Sequence, residues 1–230
     1  MFNEFSKRNK AVRAALELAA ERDWGDVTLP DIARHAGLDL ADLRREFACK
    51  SDILRAFQAE VDADVLAKVK PAGPDESVRD RVFDMLMTRF EVMAPYKPAL
   101  KRIACYLRCQ PGEASLLVCS TLGAQYWMLA GAGAKLDGAR AAVRVAGLTA
   151  IYGRVFKVWL EDASPSLDKT MAALDRALRN GERRLAGMEA ACGNMAGMCK
   201  NVKGAMSAFM RGFKKKNEDA RPPEPGSAGA

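Results

Sequence analysis

The apolar residues of this 230-residue chain recur at steps of three and four, and this spacing limits most strongly what the chain can fold into. Residues so spaced share one face of an α-helix, whereas a half-buried strand needs strict alternation. No stretch alternates apolar and polar residues for long. The sequence therefore predicts an all-α protein, and an apolar share of 49% is enough to bury a core.

The N-terminal segment has the pattern of one helix followed by a second, shorter one. The apolar face of a helix over about 9–22 is made of Val12, Ala15, Leu16 and Ala19. Trp24-Gly25-Asp26 breaks this helix. Thr28 is placed to cap the next one, with Asp31 completing a capping box, and Gly37 ends it.

A third helix is predicted directly after that turn, with Asp39 at its cap. Its spacing buries one side, made of Leu40, Leu43 and Phe47. The outward residues are Ala41, Asp42, Arg44 and Arg45. A helix, a tight turn and a second helix form the arrangement that places a recognition helix in the major groove of DNA.

The rest of the chain predicts a larger helical domain for ligand binding and dimerisation. After the N-terminal domain (1–50), a connecting helix (51–70) ends at prolines, and the larger domain spans 75–185. Within it, the helix through Leu116 and Trp127 is apolar nearly all round, so we expect it to be central. Two long helices, over roughly 137–162 and 165–185, can serve as a dimer face.

The C-terminal segment differs in charge from the rest. Residues 1–175 carry 25 basic and 24 acidic side chains, whereas 176–230 carry 11 and 5. A basic amphipathic helix is predicted over 186–216, which suits a coiled-coil seam, an anionic membrane surface or the body of the protein. Residues 217–230 have no apolar periodicity and predict a disordered tail.

Nothing in the sequence points to an enzyme. There is no glycine-rich phosphate loop and no nucleophile elbow, so we expect no catalytic residue and no cofactor. Cys105 and Cys109 are four residues apart, but with one histidine in the chain they are expected to be thiols rather than metal ligands. The charged N-terminus lacks a signal peptide, which predicts reduced cysteines and a cytoplasmic protein, with possible peripheral contact at the inner membrane surface.

The N-terminal pattern resembles the TetR family of repressors over about residues 9–58. It is carried by Trp24-Gly25, Thr28 and the run Ile32-Ala33-Arg34-His35-Ala36-Gly37, followed by Leu43, Phe47 and Lys50. The resemblance implies a homodimer that binds a double-stranded DNA operator and represses transcription until a small apolar effector releases it. Lys50 falls where the family has a phosphate-contacting lysine. The implied DNA-binding residues are Thr28, Leu40, Ala41, Asp42, Arg44, Arg45 and Lys50.

The recognition helix departs from the family in its polar residues. The family usually has Ser, Gly and Thr near the start of this helix and Tyr and His near its end. Here the corresponding residues are Asp39, Ala41, Asp42, Arg44 and Glu46. Over residues 1–55 ten basic side chains balance ten acidic ones, so the domain lacks the basic surplus typical of a tight DNA binder.

A second resemblance concerns the larger domain. The run Trp159-Leu160-Glu161-Asp162-Ala163-Ser164, with Thr170, is similar to the lipid-binding accessory proteins of coenzyme Q biosynthesis. That resemblance implies the alternative function, a lipid carrier held on the membrane by residues 187–216. An apolar effector or lipid would contact Trp127, Tyr126, Met128, Phe156 and Trp159, and the same residues also suit a plain core.

Overall fold

The computed structural model describes residues 6–69, 73 and 76–187, and within them all the regular structure is helical, as predicted. The N-terminal helices are α1 (Lys7–Glu21), α2 (Leu29–His35), α3 (Leu40–Glu46) and α4 (Lys50–Ala67). They are followed by α5 (Val78–Met93), a 3-10 turn (Ala94–Tyr96), α6 (Lys97–Leu107), α7 (Pro111–Gly131), α8 (Gly138–Glu161) and α9 over 168–187. Contacts join the chain up to Gly181 into one compact unit.

The first three helices form as their local signals predict. The four apolar residues of α1 named above are all buried. Thr28 is the N-cap of α2 and forms both halves of a capping box with Asp31. Gly37 then adopts φ +63°, a left-handed conformation that side chains with a Cβ rarely take, and so turns the chain into α3.

One expectation about α3 is confirmed and one is wrong. Asp39 stands at its N-cap position, although its side chain makes no capping hydrogen bond. Leu40 is 55% exposed rather than buried. Leu43 and Phe47 already cover the inner side of this seven-residue helix, so its first residue faces outward.

The larger part of the unit packs around α4, α5 and α8. α7 packs mainly against α4 and α8, and α1 packs against α6, which joins the N-terminal helices to the rest. Phe90 of α5 stacks on Tyr152 and Trp159 of α8, with ring centroids 5.7 and 5.6 Å apart. This aromatic stack lies at the centre of the core.

The expectation that α7 is central is wrong. Ala124, Met128 and Leu129 face the core, whereas Leu116 and Val118 are each about half exposed. Because α4, α5 and α8 cover only one side of α7, an all-round apolar sequence leaves an apolar surface on the other side.

A buried carboxylate fixes the loop between α8 and α9. Asp162 is only 2% exposed, and it accepts hydrogen bonds from the backbone N–H and hydroxyl groups of Ser164 and Thr170, at 2.6–3.1 Å. The hydrogen bond from Ser164 Oγ is the main reason that the pKa of Asp162 lies well below its usual range. The loop is therefore held by an ionised side chain.

Several predictions concern residues outside the described ones. The basic helix over 186–216, apart from its first two residues, and the tail over 217–230 are among these, as is most of the proline segment at 71–74. The division of the chain into domains stays a prediction. Among the described residues, no helix is long and apolar enough to cross a membrane.

Candidate nucleic-acid interface

The outer face of α3 is the strongest candidate for a contact with nucleic acid. Leu43 and Phe47 hold the helix from beneath, at 1% and 3% exposure. Their burial turns the opposite face to solvent, and this exposed α3 face consists of Leu40, Ala41, Arg44 and Arg45. It combines two apolar side chains at the start of the helix with two guanidinium groups one turn later.

Asp42 lies at the edge of this face and is neutralised by two cations. Its carboxylate accepts a hydrogen bond from Lys7 Nζ at 2.8 Å and from Arg45 at 2.7 Å. The hydrogen bond from Lys7 is the main reason that the pKa of Asp42 is lowered. Asp42 therefore positions Arg45 and ties α1 to α3, which offsets the charge that looked unfavourable on a recognition helix.

Thr28 lies apart from the exposed α3 face. Its hydroxyl donates to the Asp31 carboxylate at 2.6 Å and accepts from the Asp31 N–H at 3.3 Å, while its own N–H donates to the same carboxylate. These bonds lower the pKa of Asp31. The side chain thus acts as a helix cap, and a DNA contact by Thr28 stays a prediction.

Lys50 is turned inward. Its ammonium group donates to the carbonyl oxygens of Trp24 and Val27, both at 2.8 Å, and lies 4.9 Å from the Trp24 ring centroid. Desolvation by burial lowers its pKa. In this conformation Lys50 holds the α1–α2 loop to the start of α4, and its contact with a phosphate stays a prediction.

Two basic residues that sequence reasoning missed lie beside α3, both at the start of α1. Lys7 bonds Asp42, and Arg8 donates to the Glu46 carbonyl at 3.4 Å and lies 4.9 Å from the centre of the Phe47 ring. Their only signal in the sequence is a basic run just before the apolar face of α1 begins. They add positive charge beside the exposed α3 face.

The five predicted ligand-binding residues are dispersed. Met128 and Trp159 are fully buried and Phe156 is partly buried, whereas Tyr126 and Trp127 are 44% and 59% exposed. Tyr126 and Trp127 are thus exposed on α7, whereas Met128 faces the core. Phe156 and Trp159 stack on each other within the core, so these side chains act there as packing residues.

The geometry of α1–α3 agrees with a known family of DNA-binding domains. Residues 11–57 match the family model described as "Bacterial regulatory proteins, tetR family". Over this segment the chain is similar to the N-terminal domain of that family, and α3 is the third helix within it.

Solved structures extend the likeness to the larger part of the chain. A TetR transcriptional regulator from Nitrosomonas europaea is 24% identical, with a TM-score of 0.63 over 77% of this chain and 98% of that one. A TetR transcriptional regulator from Rhodococcus sp. RHA1 is 20% identical, with a TM-score of 0.54 over 76% and 95%. At these identities the likeness establishes a shared fold.

The similarity to the accessory proteins of coenzyme Q biosynthesis is not supported. The matching family model and the two solved structures named above are those of TetR regulators. No curated protein is similar enough in sequence to count as a match. The short Trp159–Ser164 run is explained by its structural role, since Trp159 packs in the core and Asp162 fixes the following loop.

Proposed function

We propose that this protein is a DNA-binding transcriptional regulator that reads its operator through α3. The observation that carries the proposal is the exposed α3 face of Leu40, Ala41, Arg44 and Arg45 on a TetR-type domain. Leu40 is an exposed large apolar residue at the start of α3, and the N-terminal residues of recognition helices are the ones that contact base edges. Apolar side chains contact the methyl group of thymine, and guanidinium groups bind guanine or phosphate.

The proposed active form is a homodimer. A two-fold dimer places two recognition helices in successive major grooves, about 34 Å apart. Three exposed apolar residues on α8 and α9 offer surface for contact with a second copy, namely Val143, Val158 and Met171. The variant Ala150→Arg, which introduces a charge on the exposed side of α8, is expected to halve the mass measured by light scattering, whereas Ala67→Arg at the exposed end of α4 leaves it unchanged.

We further propose that the regulator is a repressor that a small apolar effector releases. A dimer seated in two major grooves occupies DNA that the transcription machinery needs. An effector releases it only if it binds better to a conformation in which the two α3 helices no longer fit the operator. The α1–α6 packing offers a route by which the larger part of the unit can shift the N-terminal helices.

Fluorescence anisotropy with purified full-length protein tests the DNA-binding proposal. The probes are a labelled duplex from the region upstream of its own coding sequence and a shuffled duplex of the same composition. We expect a preference for the upstream duplex of about a thousandfold or more. Equal affinity for both duplexes would overturn the proposal.

Substitution of Arg44 separates reading of bases from contact with phosphate. If Arg44 contacts a base, Arg44→Ala lowers affinity for the upstream duplex by about tenfold or more and relaxes its specificity. If it contacts phosphate, binding falls on both duplexes and the salt dependence becomes shallower. Arg108→Ala, an exposed arginine just after α6, is the matched control and should change neither.

A further inference from the structure

An open cleft separates the end of α3 from α7 within the compact unit that ends at Gly181. It is lined by α1, by the α3–α4 segment and by the facing sides of α4 and α7, and its volume is about 420 Å³. Small-molecule sites in proteins have volumes of roughly 300–1,000 Å³. The cleft is therefore large enough for a compact organic molecule.

Part of the lining consists of small apolar residues and is called the floor of the cleft. It is formed by Ala56, Ala59, Gly123 and Ala124, where α4 and α7 face each other. A Cβ built on Gly123 would meet no atom within 4 Å, so the space above that residue is open. Small side chains leave room for a flat ring, and the hydroxyl of Ser120, which also lines the cleft, already bonds Gln58.

An exposed tryptophan forms one wall. Trp127 is 59% exposed and lines the cleft, whereas Trp24 and Trp159 are fully buried. Aromatic rings pack favourably against other rings in offset or edge-on geometry. A flat ring on the floor would cover Trp127 and remove apolar surface from water.

The lining also includes a cation, Arg8, whose bonded partners among the described residues are uncharged. Arg8 lies 4.9 Å from the centre of the Phe47 ring and donates to a backbone carbonyl. The other arginine at the cleft, Arg55, is already paired with Asp52 at 3.1 Å. The Arg8 guanidinium is therefore the group best able to receive an anion.

Among the described contacts, the carboxylates that line the cleft do not pair with Arg8. Asp62 lines the cleft, but its carboxylate pairs with Arg89, a buried arginine of α5. Glu46 is the acidic side chain at the rim that has no ion pair among the described contacts. One unshared cation and one rim carboxylate favour a ligand with a single negative charge placed beside Arg8.

We propose that this cleft binds a planar aromatic monocarboxylate, with the ring on the α4–α7 floor beside Trp127 and the carboxylate on Arg8. We also propose that this molecule is the effector, a step that rests on the proposed function. The cleft touches both the end of α3 and α7, so an occupant links the recognition helix to the larger part of the unit. This site differs from the buried aromatic stack around Trp159.

Direct binding to the full-length protein without DNA is the first test. Calorimetry with 2-naphthoate is compared with 2-naphthamide, which has the same shape and no charge. We expect saturable one-site binding of the carboxylate, and binding at least about tenfold weaker for the amide, since hydrogen bonds to charged groups are the stronger ones. Absence of saturable binding at millimolar 2-naphthoate, or equal affinity for the two compounds, would overturn the proposal.

Matched variants locate the bound molecule. Arg8→Gln and Trp127→Ala should each weaken binding by about tenfold. Their controls are Lys10→Gln, an exposed cation on the same helix, and Val118→Ala, an exposed apolar residue of α7 outside the cleft, which should leave binding unchanged. Glu46→Gln should tighten binding by about twofold to threefold, because it removes a like charge.

A filled cleft provides a test that does not depend on removing a side chain. Gly123→Leu has open space for its side chain and replaces glycine inside a helix, so it should fold at least as stably as the natural chain and lose binding. Gly112→Leu in the same helix also meets open space and lies outside the cleft, so it should still bind. Unchanged binding in folded Gly123→Leu would place the ligand elsewhere and overturn the proposal.

The effector role is tested separately with the anisotropy assay. 2-Naphthoate should weaken DNA binding of the natural chain and have no effect on Gly123→Leu. If the protein does not prefer the upstream duplex, the proposed function fails while the binding result stands by itself. If 2-naphthoate binds in the cleft but leaves DNA affinity unchanged, the effector role is overturned and the ligand site is retained.

Discussion

α3 and α7 are both helices with apolar residues on their surfaces, but they differ in how their sequences define an inner face. α3 has seven residues, and its single fully buried side chain is Leu43. α7 has 21 residues, and its sequence is apolar on every side, with Leu116 and Val118 exposed and Met128 buried. The charged residues of α3 identify its outer face, whereas α7 has no charged face that would show which side is exposed.

The difference teaches where apolar spacing is informative. In a helix with polar residues on one side, hydrophobic burial selects a single orientation. In a helix that is apolar all round, the neighbours decide which side is covered.

The largest effect is expected from truncating the buried leucine of α3. Leu43→Ala leaves a cavity beneath the helix and should lower the free energy of unfolding by about 2–5 kcal/mol in urea titrations. Leu116→Ala, an equal truncation on the exposed side of α7, should change it by less than about 0.5 kcal/mol. Similar losses for the two variants would show that the exposed side of α7 is covered in solution.

The next effect concerns the buried carboxylate between α8 and α9. Asp162→Asn removes charge-assisted hydrogen bonds and should cost about 2–3 kcal/mol at neutral pH. The pKa of Asp162 is lowered in the folded protein, so its contribution is complete above the unfolded value of about 4 and is lost as the pH falls towards the folded value.

Unfolding measured between neutral pH and about pH 3 checks this sign. The gap between the natural chain and Asp162→Asn should narrow as the pH falls below about 4. Glu161→Gln, the exposed neighbour, is the control and should be nearly neutral throughout. A gap that widens in acid would contradict the assignment of an ionised Asp162.

The third prediction is a stabilisation within α7. Gln125 is fully buried, and neither atom of its amide has a hydrogen-bond partner among the described residues. Gln125→Met keeps the volume and removes this unsatisfied amide, so it should raise stability by about 1–2 kcal/mol. Gln58→Met is the opposite case, because that amide bonds Ser120 and Thr121, and it should be destabilising in the same melting experiment.

The smallest effect separates the two caps of the N-terminal domain. Thr28→Ala removes half of a formed capping box and should cost about 1 kcal/mol in thermal unfolding. Asp39→Ala should cost less than half of that, because the Asp39 side chain makes no capping bond. A larger loss for Asp39→Ala would mean that its charge at the helix N-terminus outweighs the hydrogen bonds of Thr28.

The elements that could be predicted from the sequence depend on local signals. The capping box of Thr28 and Asp31 spans three residues, and Gly37 marks the turn by its own conformational freedom. The exposed arginines of α3 follow from the burial of Leu43. These signals require no knowledge of what lies elsewhere in the fold.

The elements that could not be predicted depend on distant partners. Lys50 bonds carbonyl groups 26 and 23 positions earlier in the chain, and backbone carbonyls leave no mark in a sequence. The pairing of Asp62 with Arg89 and the exposure of Trp127 likewise depend on how α4, α5 and α7 are arranged. The cleft near Arg8 could not be foreseen for the same reason.

The anchoring of Lys50 also bears on the construction of chimeric regulators. Its ammonium group lies 5.6 Å from the centre of the Tyr106 ring, and the Tyr106 hydroxyl donates to Glu113 at 3.0 Å. Both partners lie outside the segment 11–57 that defines the family domain. A designer who transplants that segment onto another scaffold must carry Tyr106 and Glu113 with it, because Lys50 otherwise loses its contact with the Tyr106 ring.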